Sequence, residues 1–91
     1  MTKEEVARSC VSNIEEKIKC PNNLLVQGLQ MLGIHPLEIY CLLDTLPAFT
    51  IAHSILIKLL NTENKDIQKE VGLIICGEEF VTLTNVLQEE L

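Results

Sequence analysis

The sequence predicts a single all-α domain of five to six short helices. Apolar residues recur at every third or fourth position, which is the spacing of one face of a helix. Polar breaks with asparagine, proline or glycine separate these stretches, and none of the stretches has the alternation typical of a half-buried strand. The chain has 91 residues, of which 47% are hydrophobic, so it is long enough to form one core.

The most apolar stretch, residues 46–60, predicts the helix at the centre of the domain. Its polar residues Thr50, Ser54 and Lys58 form a narrow stripe. A helix that is apolar over the rest of its surface is usually covered by its neighbours. The stretch is too short to span a membrane. The positions predicted to be buried are Ala48, Phe49, Ala52, Ile55, Leu56, Leu59 and Leu60.

The first helix is predicted to begin at a capping box formed by Thr2 and Glu5 and to end before Pro21. Its predicted buried face consists of Val6, Ala7, Cys10, Val11, Ile14 and Ile18. The second helix is predicted over residues 24–32, after a capping asparagine. Gly33 is the residue expected to end it.

Pro36 is expected at the first position of the third helix. The residues predicted to be buried there are Leu37, Tyr40, Cys41 and either Leu42 or Leu43. Thr45 is predicted to cap the central helix that follows, because a threonine hydroxyl can accept a hydrogen bond from the first turn.

The fifth helix is predicted to begin after Asn64 and to end at Gly77. The sixth is predicted from Glu78 or Glu79 to Leu91. The residues expected to be buried in these two helices are Ile67, Val71, Ile74, Ile75, Phe80, Leu83, Leu87 and Leu91.

The charge of the chain argues against a nucleic-acid partner. Seven lysines and arginines stand against thirteen aspartates and glutamates, for a net charge of −6. Nucleic-acid binding needs a basic patch, and none is visible in the sequence. A basic protein or peptide surface is therefore the expected kind of partner.

The four cysteines show neither a C-x-x-C motif nor a histidine at zinc-ligand spacing. We interpret Cys10, Cys20, Cys41 and Cys76 as small buried hydrophobic side chains in a reducing compartment. A structural disulfide or metal site is the alternative. The N-terminal residues are rich in charge and predict no signal peptide. An intracellular location, cytoplasmic or nuclear, is expected.

No motif in the sequence indicates an enzyme or a cofactor. His35 is expected to act in a cap or loop, and His53 to be a partly buried structural residue. The glutamate pairs fall on predicted solvent faces, and none of the glycines belongs to a phosphate-binding motif. We therefore expect a protein without catalytic activity, cofactor or metal.

Residues 56–71, LIKLLNTENKDIQKEV, resemble the armadillo and HEAT repeat pattern. In that pattern paired leucines end one helix, and a polar turn leads into the next. The matching residues are Leu59, Leu60, Ile67, Gln68 and Glu70. Val71 departs from the pattern, which usually has alanine there. A weak internal repeat also pairs Phe49 with Phe80. The resemblance implies an armadillo-like right-handed solenoid fragment that binds proteins or peptides; a compact orthogonal helical bundle is the alternative architecture.

Residues 35–45, HPLEIYCLLDT, with the apolar helix and N-K-D-I-Q that follow, are similar to the N-terminal helical domain of the elongation factor TFIIS. The chain lacks the tryptophan and the basic residues that are common near the last helix of that domain. Ile75, Cys76 and Gly77 stand about where the tryptophan would be. This second resemblance implies docking to short motifs in transcription proteins.

Apolar residues on otherwise polar faces are the candidates for partner binding. Ile57 projects into the stripe of Thr50, Ser54 and Lys58. Leu73 is predicted nearly opposite the buried face of its helix, near Asp66 and Lys69. A second layer of core is the alternative for both apolar residues. The candidate partner-binding residues are Leu73, Lys69, Asp66 and Ile57.

The leading hypothesis is a non-enzymatic protein-protein interaction module that serves as a scaffold or adaptor. One alternative is a self-associating structural subunit, in which the surplus apolar surface closes on other copies of the chain. A transcription-associated docking domain like that of TFIIS is the other alternative.

Overall fold

Residues 2–89, the part of the chain that the structure describes, form six α-helices, which confirms the all-α prediction. They are α1 (Lys3–Lys19), α2 (Asn23–Met31), α3 (Pro36–Leu43), α4 (Ala48–Leu60), α5 (Lys65–Ile75) and α6 (Glu79–Glu89). The computed structural model has no strand within that range.

The longest helix, α1, packs against helices that are distant from it in sequence. Its main contacts are with α4 and α6, and it also touches α5. Helix α2 packs mainly against α5, while α3 packs on α4 and α2. Contacts between the first helix and the last are typical of a closed arrangement, whereas a row of repeats joins mainly adjacent units. The fold is a small helical bundle.

All six helices contribute to one hydrophobic core. Leucine, isoleucine and valine side chains fill most of it. Of the three aromatic residues in the sequence, Phe80 lies in the core and both Tyr40 and Phe49 are exposed. The predicted buried face of α1 is confirmed, with Ala7 partly buried and the other five residues fully buried.

Side-chain caps begin three of the helices as predicted. The hydroxyl of Thr2 accepts a hydrogen bond from the backbone N–H of Glu5 (3.3 Å). Asn22 caps α2 (2.8 Å to the N–H of Leu25), and Asn64 caps α5. The glycines after α2 and α5 have φ angles of +79° and +77°, which favour glycine and so end these helices.

The predicted cap of α4 is wrong. Pro47 occupies the N-cap position and gives no side-chain hydrogen bond. The Thr45 hydroxyl donates backward instead, to the carbonyl of Leu42 (3.3 Å). It therefore closes the end of α3 rather than the start of α4.

The predicted buried face of α3 is wrong at Leu37, Tyr40 and Cys41 and right at Leu43. Among the eight residues of this helix, all of them described, Ile39 is fully buried and Leu43 is partly buried. Leu37, Tyr40 and Cys41 are exposed. The helix lies at the edge of the bundle, against α2 and α4, so only one narrow side of it meets the core.

Helix α4 is covered on one side and not all round. Ile51 is buried, although the sequence analysis left it out of the core, and Phe49 is 55% exposed. The Phe49 ring stacks on His53 with the ring centroids 6.4 Å apart. His53 is exposed rather than partly buried. This occurs because α1 covers one side of the helix and leaves the side with Phe49 and His53 open.

Two buried or part-buried amides tie the helices together. The Gln68 amide of α5 donates to the carbonyls of Leu59 (3.2 Å) and Leu60 (3.1 Å), at the C-terminal end of α4. The Asn13 amide of α1 donates to the Cys76 carbonyl (2.8 Å) and to Oε2 of Glu79 (3.0 Å). Both contacts satisfy backbone carbonyls at helix ends, which lack partners within their own helix.

The last helix follows its prediction over the described residues. Phe80 and Leu83 are buried and Leu87 is partly buried. The prediction for Leu91 lies outside the described residues. Phe80 packs directly over Gly72 of α5, and any Cβ at that glycine would overlap the phenyl ring.

Candidate interaction surface

The structure places the four predicted binding residues on two helices. Leu73 is 42% exposed on α5, and Asp66 and Lys69 of the same helix are exposed too. Ile57 is exposed on α4. Leu73 is a single large apolar side chain on a face that otherwise carries charge. Its role in binding stays a prediction.

A larger apolar surface lies on α3, where the sequence analysis predicted core. Leu37 is 63% exposed and Tyr40 is 51% exposed, and Cys41 and Leu42 are exposed beside them. We call the exposed side of α3 the α3 face and define it by Leu37, Glu38, Tyr40, Cys41 and Leu42. Positions 37, 40 and 41 are three and four residues apart, so their side chains adjoin on the helix surface.

Two grooves flank the α3 face. The groove beside α2 is lined by side chains that include Pro21, Val26 and Tyr40. The groove beside α4 has Leu42 and Leu46 on one wall and Ser54 on the other. Its remaining lining residues are Ile34, Glu38, Ile39, Ile51, Ile55 and Lys58.

The α3 face continues into the groove beside α4. Leu37, Glu38, Cys41 and Leu42 surround a shallow depression, and Glu38 and Leu42 also line that groove. The exposed leucine at position 46 extends the apolar surface further. Clustered exposed apolar side chains of this kind are typical of surfaces that contact another protein.

The charge around the α3 face is acidic. No lysine or arginine occurs between Lys19 and Lys58 in the sequence, so α2 and α3 contain none. The charged residues of α3 and its C-cap are Glu38 and Asp44, both exposed. Lys58 lies across the groove from α3 and shares its lining with Glu38. It is the basic residue that borders this surface along the groove.

The α3 face is not evident from the sequence because α3 is apolar everywhere except at Glu38. In PLEIYCLL, Glu38 is the one charged residue, so apolar spacing alone cannot fix which side is buried. The position of Glu38 was a usable signal. A carboxylate faces solvent unless it is paired, and helix geometry places residues 41 and 42 on the same side.

The buried thiols have structural surroundings. Cys10 and Cys76 are fully buried in the core as predicted, whereas Cys20 and Cys41 are exposed, contrary to the prediction, and all four are free. The Cys76 thiol is hydrogen-bonded to Cys10, and this bond together with burial raises the pKa of Cys76. At neutral pH the Cys76 thiol is therefore protonated and is not a nucleophile.

The remaining candidates for chemistry have local roles. Nδ1 of His35 accepts a hydrogen bond from the backbone N–H of Leu37 (3.1 Å), which confirms the predicted capping role. No cluster of three or more histidine, cysteine or carboxylate side chains that could hold a metal ion occurs within residues 2–89. Across the same residues, every helix is too short or too polar to cross a membrane.

Comparison of the chain with protein-family models, with curated proteins and with solved structures finds no match. The resemblances to armadillo and HEAT repeats and to the TFIIS domain thus stay predictions from the sequence.

Proposed function

We propose that this protein is a non-enzymatic protein-protein interaction module, an acidic helical scaffold or adaptor domain, that binds a protein or peptide through the α3 face. One observation carries the proposal. Leu37 and Tyr40 are exposed three residues apart on a single short helix, and Leu37, Cys41 and the exposed Leu42 line one depression beside them. Clustered apolar side chains on a surface are typical of interaction sites, and tyrosine is enriched at their centres.

The α5 surface around Leu73 is the second candidate for the binding site. It offers one exposed leucine among Asp66, Lys69 and Glu70. A small apolar centre with charges around it is also a known form of interface. The α3 face is favoured because it exposes three large apolar side chains together, one of them aromatic.

Self-association is the alternative function, and the same exposed apolar surface favours it. The net charge of −6 on each copy acts against it, because like charges repel when copies pack closely. Sedimentation equilibrium over a range of protein concentrations distinguishes the two. An interaction module remains at the mass of one chain, and a structural subunit does not.

Two further proposals concern the family and the location of the protein. The TFIIS-like stretch, residues 35–45, contains the whole α3 face, so a transcription-associated docking domain would use the surface proposed here. The exposed free thiols of Cys20 and Cys41 support an intracellular location, where a reducing compartment keeps them unoxidised.

Two matched variants test the proposed site. Leu37→Glu and Leu73→Glu place the same charge at exposed leucines on different helices, so both should remain folded by circular dichroism. Partners retained from cell extract are then identified by mass spectrometry. We expect Leu37→Glu to lose the partner that wild type and Leu73→Glu retain. If only Leu73→Glu lost the partner, the binding site would be assigned to α5. If both variants retained the partner as wild type does, neither surface would be the binding site.

A further inference from the structure

Building on the proposed function, we propose that the partner of the α3 face is an amphipathic helix with lysine or arginine residues beside its apolar anchors. The α3 face presents apolar side chains at positions 37, 40 and 41 along an exposed helix. Such a stripe packs against apolar residues at the same three- and four-residue spacing on a second helix.

The charge of the partner follows from the charges around the stripe. Glu38 lies beside Leu37, and Asp44 follows Tyr40 and Cys41 by one helical turn, so carboxylates stand near both ends of α3. Neither α2 nor α3 contains a lysine or arginine. Carbonyl groups at the C-terminal end of α3 add partial negative charge there. Basic residues flanking the anchors of a partner helix would be attracted at both ends.

Lys58 indicates where the partner helix lies. This residue faces Glu38 across the groove beside α4, so a basic helix entering that groove would meet a like charge. The groove on the other side of α3 is lined by Pro21, Val26 and Tyr40. The partner is therefore placed along the outer side of α3, over Leu37, Tyr40 and Cys41, rather than within the groove that contains Lys58.

A second copy of this chain fits the α3 face less well than a basic helix. A two-fold pairing of α3 with α3 would bring Glu38 and Asp44 of one copy close to the same residues of the other. Like charges that face each other oppose association and select against such a pairing.

Tyr40 provides a direct measurement of binding. The chain has one tyrosine and no tryptophan, so intrinsic tyrosine fluorescence reports on the α3 face alone. The probe is a synthetic amphipathic peptide of leucine and lysine, about 18 residues long so that it is helical in isolation. A leucine and glutamate peptide of the same pattern is the charge control. We expect the lysine peptide to change the Tyr40 signal, to bind more weakly as salt is added, and the glutamate peptide to have no effect.

Two charge reversals distinguish local attraction from the net charge of the protein. Glu38→Lys alters the α3 face, and Glu70→Lys makes the same change at an exposed position of α5. We expect Glu38→Lys to weaken binding of the lysine peptide about tenfold, and Glu70→Lys by less than about twofold. Equal weakening by the two variants would overturn the proposal, since the peptide would then respond only to net charge.

The outcomes for this proposal and for the proposed function can be told apart. If the glutamate peptide binds as well as the lysine peptide, the basic partner is wrong while the α3 face remains a binding surface. If neither peptide alters Tyr40 but Leu37→Glu still loses its partner from extract, the helical partner is wrong and the interaction module stands. A concentration-dependent mass that Leu37→Glu abolishes would assign the face to a second copy and overturn the proposal.

Discussion

At the scale of the residue, two buried glycines within helices differ in how closely a neighbouring side chain packs against them. Gly72 of α5 lies under the ring of Phe80, where a methyl group would overlap ring carbons. Gly28 of α2 faces α5 with more room, and a Cβ there would lie 3.4 Å from Cγ2 of Ile75. One glycine is required by packing, and the other only weakens its helix.

The same substitution should therefore destabilise the protein at Gly72 and not at Gly28. Gly72→Ala should lower the free energy of unfolding by about 1–3 kcal/mol, because Phe80 must move. Gly28→Ala should leave it unchanged or raise it by up to about 1 kcal/mol, because alanine favours the helix. Urea unfolding of both variants measures the difference. A loss of stability in Gly28→Ala equal to that in Gly72→Ala would contradict the packing described for α2 against α5.

The four thiols should react in two groups. We expect Cys20 and Cys41 to react quickly with a thiol-specific reagent such as dithionitrobenzoate. Cys10 and Cys76 should react only on unfolding, because both are buried and the pKa of Cys76 is raised. Absorbance during labelling, with and without urea, separates the groups. Cys41→Ser should remove half of the fast signal, and rapid reaction of all four thiols would contradict the buried positions.

At the scale of the element, the buried face of a helix is predicted more accurately when its two sides differ more in polarity. Helix α1 has charged residues on one side and apolar residues on the other, so its face, cap and end were all predictable. Helix α3 is apolar all round except at Glu38, and the wrong side was assigned to the core. Helix α4 lies between these cases, because apolar spacing allows either Phe49 or Ile51 to be buried, and the packing of α1, α3 and α5 around the helix decides between them.

The contact between α4 and α5 depends on an amide that helical spacing could not identify. Gln68 matched the armadillo and HEAT pattern, but its donors to the Leu59 and Leu60 carbonyls depend on how the two helices meet. The candidate binding surface was missed for a similar reason. Exposure of the α3 face is set by which helices fail to cover α3, and that is a property of the assembled bundle.

Replacing that amide should destabilise the bundle. Gln68→Leu removes the donor to the Leu60 carbonyl, while the Leu59 carbonyl keeps its hydrogen bond from the Thr62 N–H (3.2 Å); we expect a loss of about 1–3 kcal/mol. Thr62→Val is the matched control, because the Thr62 hydroxyl donates to the Lys58 carbonyl at the surface (3.0 Å). There water can replace the donor, and we expect a loss below about 0.5 kcal/mol. Thermal or urea unfolding compares the two, and equal losses would contradict the capping role of Gln68.

At the scale of the whole molecule, the core is closed by contacts between the first helix and the last three. The side chains of α1 meet α4, α5 and α6, and Asn13 holds the turn between α5 and α6. Aliphatic side chains supply most of the buried surface. Loss of one of them in α4 should therefore affect the stability of the entire bundle.

Leu56 and Ser54 of α4 allow a test of that expectation. Leu56 is buried against the core, and Ser54, two positions away, is exposed. Leu56→Ala should lower the free energy of unfolding by about 2–5 kcal/mol, a large part of the roughly 5–15 kcal/mol typical of a domain. Ser54→Ala should change it by no more than about 0.5 kcal/mol. Equal urea midpoints for the two variants would contradict the orientation of α4.

The shallow anchoring of α3 has a consequence for the motions of the protein. One fully buried side chain, Ile39, holds this helix, whereas five hold α1. Amide protons of α3 should therefore exchange with solvent deuterium through local opening, while those of α1 exchange only when the whole chain unfolds. A protein that covers the α3 face would also hold this helix closed. Slower deuterium uptake at α3 would then mark occupancy of the face, even when the partner leaves the rest of the bundle unchanged.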